Sequence, residues 1–200
     1  MQFAHRVFSA AALALLSASS FATTTTYTSS ASFLSNVAAG AYTESFTGVA
    51  ETPPATFTGG AFSYAISAPQ GMFGFDDFIS TNQINEAITI SFTGASVFAI
   101  GGNFFATDIN PDFQSVSMTV TLSDGTVETF KPATLSDSYR GFVSTVAITS
   151  LTLGGPGQSL YASLDNLTVG AAVPAIPEPT TWALLGLGLA GIAVVARRKA

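Results

Sequence analysis

Between the two ends of the chain, short alternating or β-branched runs dominate, and no useful length of chain keeps a helical period. That pattern dictates short, half-buried strands. The segments 41–46, 61–68, 87–92, 96–100, 115–123, 126–131, 145–153 and 160–169 fit it, each bounded by Gly, Pro or Asn/Asp. In 115–123, Val116, Met118, Val120 and Leu122 alternate with Ser and Thr. Asp124-Gly125 follows and predicts a two-residue hairpin turn. Ser123 would then stand opposite Thr126, Leu122 opposite Val127 and Val120 opposite Thr129, with Thr121 and Glu128 on the other face. Eight strands without intervening helices predict an all-β fold, an antiparallel β-sandwich or jelly roll over 41–170.

Seventeen phenylalanines suit an aromatic core between two sheets. Phe73, Phe75 and Phe78, grouped around Asp76-Asp77, are expected in that core; the competing reading is an exposed platform on which a sugar ring stacks. Cysteine is absent, which excludes disulfides, thiolate nucleophiles and Cys-ligated metals. The single histidine, His5, lies near the start of the chain. The central region thus lacks the usual general base and the commonest metal ligand, and a non-enzymatic role is expected. Lys131 and Arg140 are its only cations against eleven acids, a net of about −9 over 23–176. Two cations cannot displace the counterions of a phosphate backbone, so nucleic-acid binding is excluded.

The ends read differently. Residues 1–22 combine a short basic start at His5 and Arg6, an apolar run over 7–16 and the small-residue site Ser20-Phe21-Ala22. This is the layout of a secretory signal peptide cleaved between Ala22 and Thr23. Residues 23–40, opening on Thr23 to Thr26, are expected as a Ser/Thr-rich stalk and domain entry. Residues 171–176 are expected as a linker. Next come Pro177-Glu178-Pro179, an uncharged stretch over 182–196 and the cluster Arg197-Arg198-Lys199. The prolines hold the triplet extended and delay any helix to about residue 180. Fifteen residues over 182–196 make about 22 Å of helix, short of a bilayer core of about 30 Å. Thr180, Thr181 and snorkelling of the basic end make up the difference, so a transmembrane helix is expected at 180–196. Trp182 fits an interfacial anchor, and Arg197, Arg198 and Lys199 place the end in the cytoplasm.

The order of Pro177-Glu178-Pro179, the Trp-Ala-Leu-Leu-Gly-Leu-Gly-Leu run from Trp182 and the terminal basic cluster resembles the PEP-CTERM sorting signal of Gram-negative bacteria. The same tail is also described as the C-terminal domain of ice-binding proteins, which is a label only. The resemblance implies that 177–200 is read by an exosortase, a membrane protease-transferase acting near the triplet. It implies an inner-membrane-anchored precursor with its domain in the periplasm, bound for the cell surface or the extracellular matrix. Association with exopolysaccharide is the partner it implies.

Further segments, Ala99 to Phe105 with Asp108, Ser123-Asp124-Gly125, Arg140 to Ser144 and Leu164 to Gly170, resemble a recurrent domain of such proteins that is itself similar to jelly-roll carbohydrate-binding modules. That resemblance implies a structural calcium ion at Glu44 and Asp165. Two carboxylates with strand-end carbonyls suit a hard cation. The competing reading makes Asp165, expected on one face with Ser163 and Leu167, a strand-end carboxylate in turn hydrogen bonds. Asp76-Asp77, Asp108 with Asp112, and Glu128 are the carboxylates a secreted glycan hydrolase would draw on.

Overall fold

Met118, Val120 and Leu122 are buried while Thr121 is exposed, as the alternation in 115–123 demands. The same physics repeats along the chain. The computed structural model describes residues 22–75, 77–173, 185–186 and 188–189. In chain order the elements are β1 (Thr24–Tyr27), α1 (Ser30–Leu34), β2 (Tyr42–Glu44), β3 (Thr56–Gly59), β4 (Phe62–Ser67), β5 (Met72–Gly74), β6 (Ile79–Thr81) and β7 (Ile88–Phe92). The second half adds β8 (Val97–Thr107), β9 (Phe113–Gln114), β10 (Met118–Leu122), β11 (Val127–Phe130), a 3-10 turn (Leu135–Ser138), β12 (Tyr139–Ile148), β13 (Ser150–Leu153) and β14 (Tyr161–Gly170).

Two antiparallel sheets form. The larger runs β1-β12-β8-β14-β6-β5, with β2 added to β14 and β9 to β8; the smaller runs β11-β10-β13-β7-β4-β3. Ile100, Phe104, Phe142, Leu164, Leu167 and Val169 of the larger sheet meet Tyr64, Ile66, Ile88, Ile90, Val120 and Leu151 of the smaller in one buried core. The all-β sandwich is therefore as expected.

Four local expectations are corrected. Residues 23–40 are no stalk: β1 pairs with β12 over Thr24–Tyr27, and α1 lies on the outer face of the larger sheet. Gly101 stands opposite Gly141 on adjacent strands, and a Cβ on Gly141 would lie 2.5 Å from the Phe33 ring. The glycine pair makes the notch that seats this ring, which is why a five-residue helix with little intrinsic stability holds.

The hairpin register is shifted by one. Val120 pairs with Glu128 and Thr121 with Val127, because the turn uses three residues and closes on Gly125 at φ +92°. A one-residue slip exchanges faces. Val127 is 60% exposed, and Glu128 is turned toward Arg140.

The third correction concerns β14. Asp165 pairs with Asn103 and Thr168 with Gly101, so Asn166 and Leu167 together oppose Gly102 in a β-bulge, with Asn166 at φ +51°. Leu167 returns to the core beside Leu164, whereas Asp165 faces outward with Ser163.

The fourth concerns Phe73, Phe75 and Phe78. All three are half-buried and stand apart from the main core.

The body of the expected leader, Pro177-Glu178-Pro179, Trp182 and Arg197-Arg198-Lys199 lie outside the described residues, as does Asp76. Leu185, Gly186, Gly188 and Leu189, inside the expected 180–196 span, are helical. Among the described residues no helix is long and apolar enough to cross a membrane.

Candidate functional site

The outer face of the larger sheet is covered at one end by α1 and open at the other. Phe73 of β5 pairs with Ser80 of β6, and Ser80 with Ser163 of β14, which sets all three on that open face. From there an aromatic ladder runs across the surface. Phe73 meets Phe75 at 4.9 Å between ring centroids, Phe75 stacks on Phe78 at 4.7 Å, and Phe78 meets the edge of buried Phe105 at 5.5 Å. These spacings are those of favourable aromatic pairs, so the rings form a continuous apolar wall.

Beside the wall lies a cavity of about 280 Å³, lined by Phe73, Phe75 and Tyr161, by the hydroxyls of Ser80, Thr81 and Thr107, and by Asn82, Asp108 and Ile109. Its floor is fixed by hydroxyl contacts: Ser163 Oγ lies 2.5 Å from Ser80 Oγ and 3.0 Å from Thr107 Oγ1. Its rim is the loop after β8. There Asp108 accepts from the Asn110 and Asp112 amides at 2.8 and 3.2 Å and from Gln114 Nε2 at 2.9 Å. The Asp108 carboxylate is thus committed to holding Ile109, 74% exposed, at the lip. A second cavity of about 530 Å³ shares Phe73 and Asn82 and extends past Glu51, Pro53, Gln70 and Met72. The two cavities adjoin at Phe73 and Asn82, and neither has Lys or Arg in its lining; the first, with the aromatic wall, is the cleft.

The cations are elsewhere. Arg140 enters the edge of the sandwich, 3.8 Å above the Phe130 ring, donating to the carbonyls of Asp137 and Tyr139. Lys131 directly follows β11 in the smaller sheet.

The remaining sequence-derived candidates scatter. Glu44 pairs with Leu167 and therefore points toward the core, where it accepts from Tyr42 Oη at 2.7 Å and the Phe46 amide at 3.1 Å. Asp165 points out of the opposite face, bonded to Asn166. The pair that the carbohydrate-module resemblance offered for calcium is not brought together, because the Asn166 bulge re-aims the strand between them. Among the described residues no group of three or more His, Cys, Asp or Glu is placed to hold a metal. Burial pushes Asp165 up to about 6; the Asn166 amide opposes this and the charge of Asp77 adds to it. Glu128 is 3.6 Å from Arg140 Nε and lines neither cavity. Ala22 is exposed, and Thr23 is tied into the sheet edge through Thr145.

Comparison with known families locates a second functional element. Residues 175–199 match the model of the PEP-CTERM protein-sorting motif. This chain carries a PEP-CTERM sorting signal. The match takes in Pro177-Glu178-Pro179, Trp182 and Arg197-Arg198-Lys199. A PEP-CTERM signal marks an exported protein processed by an exosortase and sorted to the cell envelope. No curated protein matches the chain.

The cleft residues Tyr161, Ser80 and Thr107 carried no motif. The clustering of Phe73, Phe75 and Phe78 and the Asp108 carboxylate are visible in the sequence; the side of the sheet they occupy is not.

Proposed function

We propose that this chain is a non-enzymatic protein of the cell surface or biofilm matrix, whose β-sandwich holds polysaccharide in the aromatic cleft. The leader ends at Ala22-Thr23, and Trp182 with Arg197, Arg198 and Lys199 seats the precursor in the inner membrane. Exosortase grips Pro177-Glu178-Pro179 and passes the domain outward.

The observation that carries the sorting half is the PEP-CTERM match over 175–199. Replacing Pro177, Glu178 and Pro179 together by alanine is expected to leave an unprocessed, membrane-bound precursor. Normal processing of that variant would overturn it.

The observation that carries the binding half is the ladder of Phe73, Phe75 and Phe78 beside a cleft of hydroxyls and amides. Sugars present C–H faces that stack on rings and hydroxyls that bond to such rims. A non-catalytic role is supported by the carboxylates that line the two cavities: Asp108 is committed to its own loop, and Glu51 has no second uncommitted carboxylate among the described residues of the lining to pair with for glycoside hydrolysis. An array of neutral and acidic glycans is expected to show binding to neutral ones. Silence on every glycan would remove the binding half and leave the sorting half standing.

A further inference from the structure

The chain enters and leaves the sandwich at the same end. Thr24 of β1 pairs with Ser144 toward the end of β12, and Thr23 and Thr145 exchange hydrogen bonds beside them. On the way out, Gly170 of β14 pairs with Ala99 near the start of β8, as does Val143 of β12. A short antiparallel contact then holds the chain. Val37 bridges Ala172, the Ala38 amide donates to the Ala171 carbonyl at 2.9 Å, and the Val173 amide donates to the Asn36 carbonyl at 3.2 Å.

That end is chemically distinct. β12 passes to β13 through Thr149 and β7 to β8 through 93–96, so the adjoining ends of the smaller sheet lie there too, with its turns at 59–61 and 123–126. Together with 38–41 and 145–149, these loops hold a single charged residue, Asp124. It is half-buried and turned inward, accepting from the Thr24 and Ser144 hydroxyls and the Thr126 amide. Val127, Val146 and Val173 stand exposed at the same end. The loops at the opposite end hold Glu51, Glu86, Asp108, Asp112, Lys131 and Asp137.

The tether beyond this end is short. From Val173 to Pro177 is four residues, at most about 14 Å, and to the expected start of the membrane span at 180 it is seven, at most about 25 Å. A domain of net charge about −9 over 23–176 is repelled by an anionic headgroup layer unless it turns toward that layer a face without outward carboxylates. The end from which the tail departs is such a face, and its exposed valines offer apolar surface to bury in the membrane interface.

We infer that the anchored precursor stands on this uncharged end, with Val127, Val146 and Val173 against the lipid surface of the inner membrane. The inference rests on the membrane-anchoring part of the sorting reading. It also places the aromatic cleft. Thr107, paired with Tyr161 in the cleft lining, lies eight residues along β8 from Ala99, about 26 Å from the docked end. The cleft is therefore held at the far end from the bilayer while the tail is attached.

The chain has no cysteine, so a fluorophore on one introduced cysteine reports a single place. Ala95→Cys and Ala147→Cys label the uncharged end and Ala133→Cys the other, all at exposed positions. The full-length chain, made without an exosortase, is reconstituted into phosphatidylethanolamine–phosphatidylglycerol vesicles that carry a headgroup quencher. Quenching at positions 95 and 147 is expected to exceed that at 133 about threefold, and to persist when about ten Gly/Ser residues are inserted after Val173. Adding Val127→Glu with Val146→Glu is expected to bring it down to the level at 133. Equal quenching at all three positions would overturn the inference, as would quenching that the two glutamates leave unchanged. So would a preference that the insertion abolishes, because the tether alone would then account for it. A preference that appears only with exosortase in the vesicles would overturn it in favour of a protein partner. If the chain does not float with the vesicles, the anchoring reading falls and this one with it. If it floats and shows no preference, only the docking falls.

Discussion

Glu128 of β11 stands opposite Val120 across the hairpin and reaches Arg140 of the other sheet at 3.6 Å. The contact ties the two layers of the sandwich together at one edge, where the guanidinium also lies over Phe130. It exists because the turn has three residues rather than two. Burial lowers the pKa of Arg140, and the charges of Glu128 and Asp137 offset part of that effect.

Removing the partner of a half-buried cation costs more than the ion pair itself contributes. Glu128→Ala is therefore expected to destabilise the domain by about 1–2 kcal/mol. Val127→Thr, at an exposed site, should stay within about 0.5 kcal/mol. Urea denaturation of both variants checks the register directly, because the two-residue turn predicts the reverse order.

The notch under α1 gives a second prediction. Gly141→Ala places a methyl 2.5 Å from the Phe33 ring and forces it outward. Overpacking of this kind costs about 1–3 kcal/mol. Phe33→Ala should cost about 3–5 kcal/mol by itself. The double variant should cost little more than Phe33→Ala alone, since both changes act on one contact. A sum of the two single effects would show that Phe33 is not held by this notch.

Two carboxylates give opposite pH trends. Asp165 is held up to about 6, mainly by burial, so its protonated form is favoured by folding. Its stabilising contribution is complete below about pH 4 and is lost as pH rises through about 6. Asp165→Asn should therefore stabilise the domain at pH 7 by about 1 kcal/mol after screening, and so raise its melting point, with no gain at pH 4. For Asp124, burial would raise the pKa. Hydrogen bonds from the Thr24 hydroxyl, the Thr126 amide and the Ser144 hydroxyl outweigh it and hold the carboxyl below its ordinary range. Its contribution is present above about pH 4 and lost as pH falls further. Asp124→Asn should lower the melting point at pH 7 and matter progressively less in acid. Melting curves at pH 3, 4, 6 and 7 distinguish the two.

How much of this could be read from the chain depended on how local the determining physics was. The strand at 115–123 was plain because alternation is set within the strand itself. β8 was visible only over 96–100, because Gly101-Gly102-Asn103 reads as a turn. In the folded protein Gly101 clears Phe33 and Tyr139, while Gly102 lies against the Asp165 backbone at the bulge. β1 was missed since a run of threonines has no apolar alternation, and its pairing with β12 is a contact between segments over a hundred residues apart. The calcium pair failed on one inserted residue, Asn166, whose left-handed backbone nothing in its neighbourhood announces. The sorting motif was legible, as its triplet, apolar run and basic end are contiguous.

Affinity electrophoresis of the full-length chain through gels containing a neutral polysaccharide tests the central claim most directly, with Phe73→Ala and Phe75→Ala alongside. Wild type is expected to be retarded, and each ring removal to weaken retardation about tenfold, in line with about 1.5 kcal/mol per stacking contact. Retardation that is unchanged in both variants would contradict the account.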